Sequence, residues 1–152
     1  MLILLLLLLA SSVLPSPHPI FSVQPRHVHL ALGDLVGSLS LTWSTLNRTE
    51  ESVVMVVVGG EERRYEGSSS LFVDGGARRA SQWIHSVSVL DLAGNTTTRY
   101  WVGSRLGWSD LMVLRTPPSG NQWEPNIVMF GDLGNENAVS LPWIQREAEE
   151  GE

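Results

Sequence analysis

At 152 residues the chain has room for one ordinary domain and part of another, because single domains usually occupy about 100 to 200 residues. A formal net charge of -6, with basic residues scattered apart from the pairs Arg63-Arg64 and Arg78-Arg79, argues against a nucleic-acid partner, which needs clustered Lys and Arg. The absence of cysteine rules out disulfides, thiolate catalysis and a Cys-ligated zinc, so the fold must rest on packed apolar surface.

Met1 through Ala10 form an unbroken apolar run, followed by Ser11 and Ser12 and then by Pro15, Pro17 and Pro19. The run is far shorter than the roughly 20 residues that span a bilayer, and the small residues behind it suit a signal peptidase. Residues 1–16 therefore read as a signal peptide, with the mature chain beginning near Ile20, no membrane span after cleavage, and secretion as the expected fate. Secretion gives meaning to two glycosylation acceptor triplets, Asn47-Arg48-Thr49 and Asn95-Thr96-Thr97, both between apolar runs where exposed loops belong.

Residues 20–116 are a succession of short apolar runs separated by Gly, Asn, Asp and Ser, the pattern of an all-β sandwich. Val28, Leu30 and Leu32 alternate with His27, His29 and Ala31, and Leu39, Leu41 and Trp43 alternate with Ser and Thr, which predicts half-buried antiparallel strands. Val53 to Val58 and Leu111 to Leu114 are continuously apolar, as in strands more deeply buried or held against a neighbouring domain, and further strands are expected over 70–73, 83–90 and 99–104. The stretch from Leu90 through Tyr100 resembles the crossover corner of fibronectin type III sandwiches, where a tyrosine hydrogen-bonds back to the corner; a plain core tyrosine is the competing reading.

Residues 117–124 open with Pro117-Pro118-Ser119-Gly120 and read as a linker. In 125–152 the pattern changes. Ile127-Val128-Met129-Phe130 has the character of a parallel strand covered on both faces, Gly131-Asp132-Leu133-Gly134 follows, and Leu141, Ile144 and Ala148 have helical spacing behind Ser140 as N-cap. The order strand, loop, helix is the start of an α/β unit, whose ligands collect at the carboxyl ends of its strands. Asp132 sits there. Its carboxylate suits a hard metal ion, although Asp-x-Gly is also a common turn.

Taken in order, Gln24-Pro25 with Val28-His29-Leu30, Gly37 to Thr45, Phe72 to Gly76, Ile84 to Val87, Tyr100 to Ser104 with Gly107-Trp108-Ser109, and Phe130 to Gly134 resemble the purple acid phosphatase family of metallophosphoesterases. The resemblance implies a mainly β chain: a fibronectin type III-like Greek-key sandwich followed by the first strand and helix of an α/β metallophosphoesterase domain. It further implies that Asp132 ligates the ferric ion of a dinuclear centre whose second metal is a divalent iron, zinc or manganese, with Gly131 and Gly134 shaping the loop. The family's activity is hydrolysis of phosphate monoesters by a metal-bound hydroxide. The family's other ligand blocks do not follow Gly134, so the chain is expected to be an N-terminal fragment, inactive by itself. His18, His27, His29 and His85 all precede the α/β segment; His27 and His29 read as solvent-facing strand residues and His85 as a packed one. The rival reading is a non-catalytic, secreted β-sandwich interaction module. The motif around Asp132 distinguishes the two.

Overall fold

The computed structural model describes residues 20–120, 122–131, 133, 136 and 138–150. The signal-peptide expectation for 1–16, like His18, Asn135 and Asn137, lies outside the described residues. The chain divides into two compact units between Ser119 and Gly120.

The first unit contains a short helix α1 (Ile20–Val23) and strands β1 (Arg26–Leu32), β2 (Leu39–Thr45), β3 (Val53–Val58), β4 (Glu61–Glu66), β5 (Ser68–Val73), β6 (Ser81–Val89), β7 (Thr97–Ser104), β8 (Gly107–Trp108) and β9 (Met112–Arg115). One sheet has the order β1-β2-β6-β5; the other runs β4-β3-β7, with β8 and β9 both paired to β7. Every pairing is antiparallel. The chain changes sheet between β2 and β3, between β4 and β5, and between β6 and β7, which produces Greek-key connectivity.

Register follows from the period-two pattern. Leu39, Leu41 and Trp43 of β2 stand opposite Val89, Val87 and His85 of β6, so one face of this sheet is apolar. From the other sheet Val54, Val56, Tyr100 and Val102 meet that face, and all of these apolar side chains are buried in one cluster. The crossing into β5 turns on Gly67, where a Cβ would overlap the Ser86 carbonyl and the Val87 backbone. No other residue type fits there without moving a strand.

Two expectations need correction in this unit, and one strand carries no signal in the sequence. Glu61–Glu66 forms a strand although its sequence EERRYE has no apolar alternation; it is an edge strand whose side chains are almost all exposed, so nothing selects for buried residues. The run Leu111 to Leu114 is not deeply buried: Met112 and Leu114 are half-buried, whereas Leu111 and Val113 face solvent. Tyr100 is a core residue, and the hydroxyl that reaches the corner belongs to Tyr65 of β4, donating to the Leu90 carbonyl at 3.1 Å.

In the second unit, helix α2 (Leu141–Glu150) begins where Ser140 predicts, with the Ser140 carbonyl accepting from the backbone of Ile144 at 3.1 Å. None of its residues is buried. The strand expected over 127–130 is absent: these residues are unpaired, with Ile127 73% and Met129 88% exposed. A parallel strand exists only through hydrogen bonds to neighbouring strands, and among the described residues none is placed against this run.

Candidate functional site

Of the residues expected to form the metal-binding motif, Asp132 and Gly134 lie outside the described residues. Gly131 is exposed, with open space where a Cβ would stand. Among the described residues no three His, Cys, Asp or Glu side chains converge into a metal site. His27 donates to or accepts from Ser44 Oγ at 2.9 Å through its Nδ1, at a point where a positive φ of 53° and a register shift interrupt β1. The irregularity breaks the two-residue period that a shared face with His29 requires.

The histidine that the fold does organise is His85. It is fully buried, its ring stacked on Trp43 with centroids 5.0 Å apart and planes 4° from parallel. Nε2 lies 2.9 Å from Thr45 Oγ1 of the neighbouring strand, and Nδ1 lies 2.9 Å from Ser52 Oγ at the entry to β3 in the opposite sheet. Burial holds its pKa below the ordinary imidazole value, which keeps the ring neutral at neutral pH. With Thr45 donating onward to the Asn47 carbonyl at 2.7 Å, the network ties both sheets to the β2–β3 loop. Its place in the core makes it structural.

The β2–β3 loop and the β7–β8 turn form an open groove whose lining includes Asn47, Arg48, Glu50, Glu51, Arg105 and Leu106, about 1030 Å³ in volume. Glu51 is its hub, accepting from Arg64 Nη2 at 2.6 Å and from the backbone and Nε of Arg105, each at 3.0 Å. The hydrogen bond from Arg64 and then those from Arg105 hold its carboxyl below the usual range. Glu50 reaches the same guanidinium at 3.5 Å. Neither Glu51 nor Arg105 was marked by the sequence, and Arg64 only as half of a basic pair: they come from three segments up to 54 positions apart, which the β4-β3-β7 order of one sheet brings together. Both acidic groups lining the groove are thus paired with arginines.

The two acceptor asparagines occupy exposed turns at the sandwich. Asn47 donates through Nδ2 to Ser22 Oγ at 3.1 Å, tying the β2–β3 loop to α1, and Thr49 is buried with its hydroxyl on the Glu51 carbonyl at 2.8 Å. Asn95 adopts a left-handed conformation, φ 54°, and accepts from Arg115 Nη2 at 2.9 Å. The β6–β7 crossover beside it is tied to the end of the domain by Asn95 N to Pro117 O at 3.0 Å and Thr116 Oγ1 to Ala93 O at 2.6 Å.

Residues 25–116, which contain every strand of the sandwich, match the family model described as purple acid phosphatase, N-terminal domain. The chain belongs to the purple acid phosphatase family. Among curated proteins it is similar to acid phosphatase type 7 of Danio rerio, 35% identical over 130 residues that cover 84% of this chain and 29% of that protein. The human acid phosphatase type 7 is 33% identical over 132 residues, 86% of this chain and 30% of the relative. The chain thus spans about 30% of the length of the curated relatives it matches.

Proposed function

We propose that this chain forms the N-terminal sandwich and the first metal-ligand motif of a secreted, metal-dependent acid phosphatase that hydrolyses phosphate monoesters. The observation that carries the reading is the extent of similarity. The stretch shared with the zebrafish relative covers 84% of the chain, which is longer than residues 1–116, so the similarity is not confined to the sandwich, and this supports the reading. A self-contained adhesion module has no use for the segment 117–152.

In this reading Asp132 is one carboxylate ligand to iron in a centre completed by a second iron, zinc or manganese. The described residues do not provide the remaining ligands. The sandwich contributes a rigid platform, and the chain by itself neither holds stoichiometric iron nor turns over substrate. The leader sends the protein into the secretory pathway, where Asn47 and Asn95 carry N-glycans; their positions on exposed turns support this.

The test is to express the polypeptide translated from the complete reading frame alongside the 152-residue chain, and to measure bound iron and aryl phosphate hydrolysis at mildly acidic pH. Activity and iron in the former, both lost in Asp132→Ala, support the proposal. Turnover by the 152-residue chain alone, or activity indifferent to Asp132→Ala, overturns it. If the complete frame encodes no phosphatase at all, the sandwich is an interaction module.

A further inference from the structure

The folded sandwich holds its two acceptor triplets in different ways. Transfer of an N-glycan needs two groups at once: the asparagine Nδ2, which bonds the sugar, and the threonine hydroxyl two residues on, which the transferring enzyme grips in a stretch of chain drawn away from its neighbours. At Asn47-Arg48-Thr49 both groups are engaged. Asn47 Nδ2 donates to Ser22 Oγ at 3.1 Å, and Thr49, only 5% exposed, donates to the Glu51 carbonyl at 2.8 Å. The backbone is fixed as well, with Asn47 N donating to Ser22 O at 2.8 Å and Asn47 O accepting from Thr45 Oγ1 at 2.7 Å. Glu51 is clamped by Arg64 of β4 and by Arg105, 54 positions further along the chain. Drawing this triplet out breaks its contacts with α1 and pulls on a residue that two other segments hold. Asn95-Thr96-Thr97 is held more lightly. Asn95 and Thr97 are exposed, and Asn95 engages Arg115 through Oδ1, not through Nδ2. The ladder of β3 on β7 ends at Tyr100, so Thr97 pairs with Arg115 of β9 alone, in a short strand that is half exposed. Fraying of β9 opens this triplet while the core stays shut.

We infer that folding of the sandwich closes Asn47 to glycan transfer and leaves Asn95 open, so that Asn47 is modified only before the segment from Glu51 to Arg105 has packed. The inference rests on the reading that both asparagines are acceptors. In the transfer, Nδ2 bonds the anomeric carbon of a lipid-linked oligosaccharide, the bond from that carbon to the lipid pyrophosphate breaks, and the proton on nitrogen passes to a base of the enzyme. A triplet pinned at Nδ2, at its hydroxyl and along its backbone does not enter that step. Chain order sets the interval. During synthesis Asn47 emerges well before Arg105, so the triplet stays open until its clamp exists. Occupancy at Asn47 then records how fast the domain folds, whereas occupancy at Asn95 does not.

The test supplies purified oligosaccharyltransferase and a lipid-linked oligosaccharide with the unglycosylated, folded 152-residue chain and with two peptides, 43–52 and 92–100, and reads each asparagine by mass spectrometry. The initial rate at Asn47 should be about tenfold or more lower in the folded chain than in its peptide, because only the open fraction of the chain reacts. Asn95 should differ far less from its own peptide. Trp43→Ala removes a fully buried core side chain and should bring Asn47 toward the peptide rate, whether the variant folds weakly or not at all. Equal rates at Asn47 in folded chain and peptide, protection of Asn95 as strong as that of Asn47, or a Trp43→Ala chain still closed at Asn47 overturns the inference and leaves the acceptor reading standing. A 43–52 peptide that is never modified removes Asn47 as an acceptor, and the inference with it.

Discussion

His85 gives the sharpest test of how the sandwich is held together. It is fully buried, and because the Thr45 hydroxyl donates to the Asn47 carbonyl, the neutral ring donates from Nε2 to Thr45 and accepts at Nδ1 from Ser52, with no carboxylate among its hydrogen-bond partners to compensate a charge. Burial lowers its folded pKa, so just below the unfolded value of about 6.5 the unfolded chain binds a proton that the native state refuses. Stability is therefore full above that value and falls with acidification, at up to about 1.4 kcal/mol per pH unit for one proton, until the folded pKa is reached. Glu51, whose pKa is also lowered, contributes stability above the ordinary carboxylate range and begins to lose it only below that range, so the His85 effect starts at higher pH. Urea unfolding followed by tryptophan fluorescence at steps from pH 7.5 to 5.5 measures the effect. His85→Gln should weaken the domain at pH 7.5, by about 1 to 3 kcal/mol for disturbed buried hydrogen bonds and lost stacking, but flatten the pH dependence. Parallel loss of stability in both proteins across that range would refute the reasoning.

Trp43→Ala removes the largest fully buried side chain and the ring against which His85 stacks, and should cost about 3 to 5 kcal/mol in equilibrium unfolding. Gly67→Ala forces a Cβ into the Ser86 carbonyl and the Val87 backbone and should cost about 1 to 3 kcal/mol by the same measurement, despite being a single methyl at an exposed position. Glu51→Gln should lower stability on the order of 1 kcal/mol, with the difference shrinking in high salt because the pairs are near the surface. On secretion from a eukaryotic host, glycosidase treatment should shift the mobility of the chain, and the double variant Asn47→Gln with Asn95→Gln should migrate like the deglycosylated protein.

What the sequence determined by itself was the sandwich core and the helix α2. Alternation in 39–43 and 85–89 declares which side chains are buried, because a strand with one wet face must present its apolar residues at every second position. Ser140 and the spacing of Leu141, Ile144 and Ala148 located α2 for an equally local reason. Tertiary structure decided the rest. β4 is a strand because β3 offers it a ladder, not because of its charged side chains, and the apolar run 127–130 stays unpaired because no strand among the described residues offers it one. Glu51, Arg64 and Arg105 meet only because β4, β3 and β7 lie side by side in one sheet, and Ser52 reaches His85 only across the two sheets. Local pattern fixes which face of an element is buried; which elements supply its hydrogen bonds and counter-charges is a property of contacts distant in sequence.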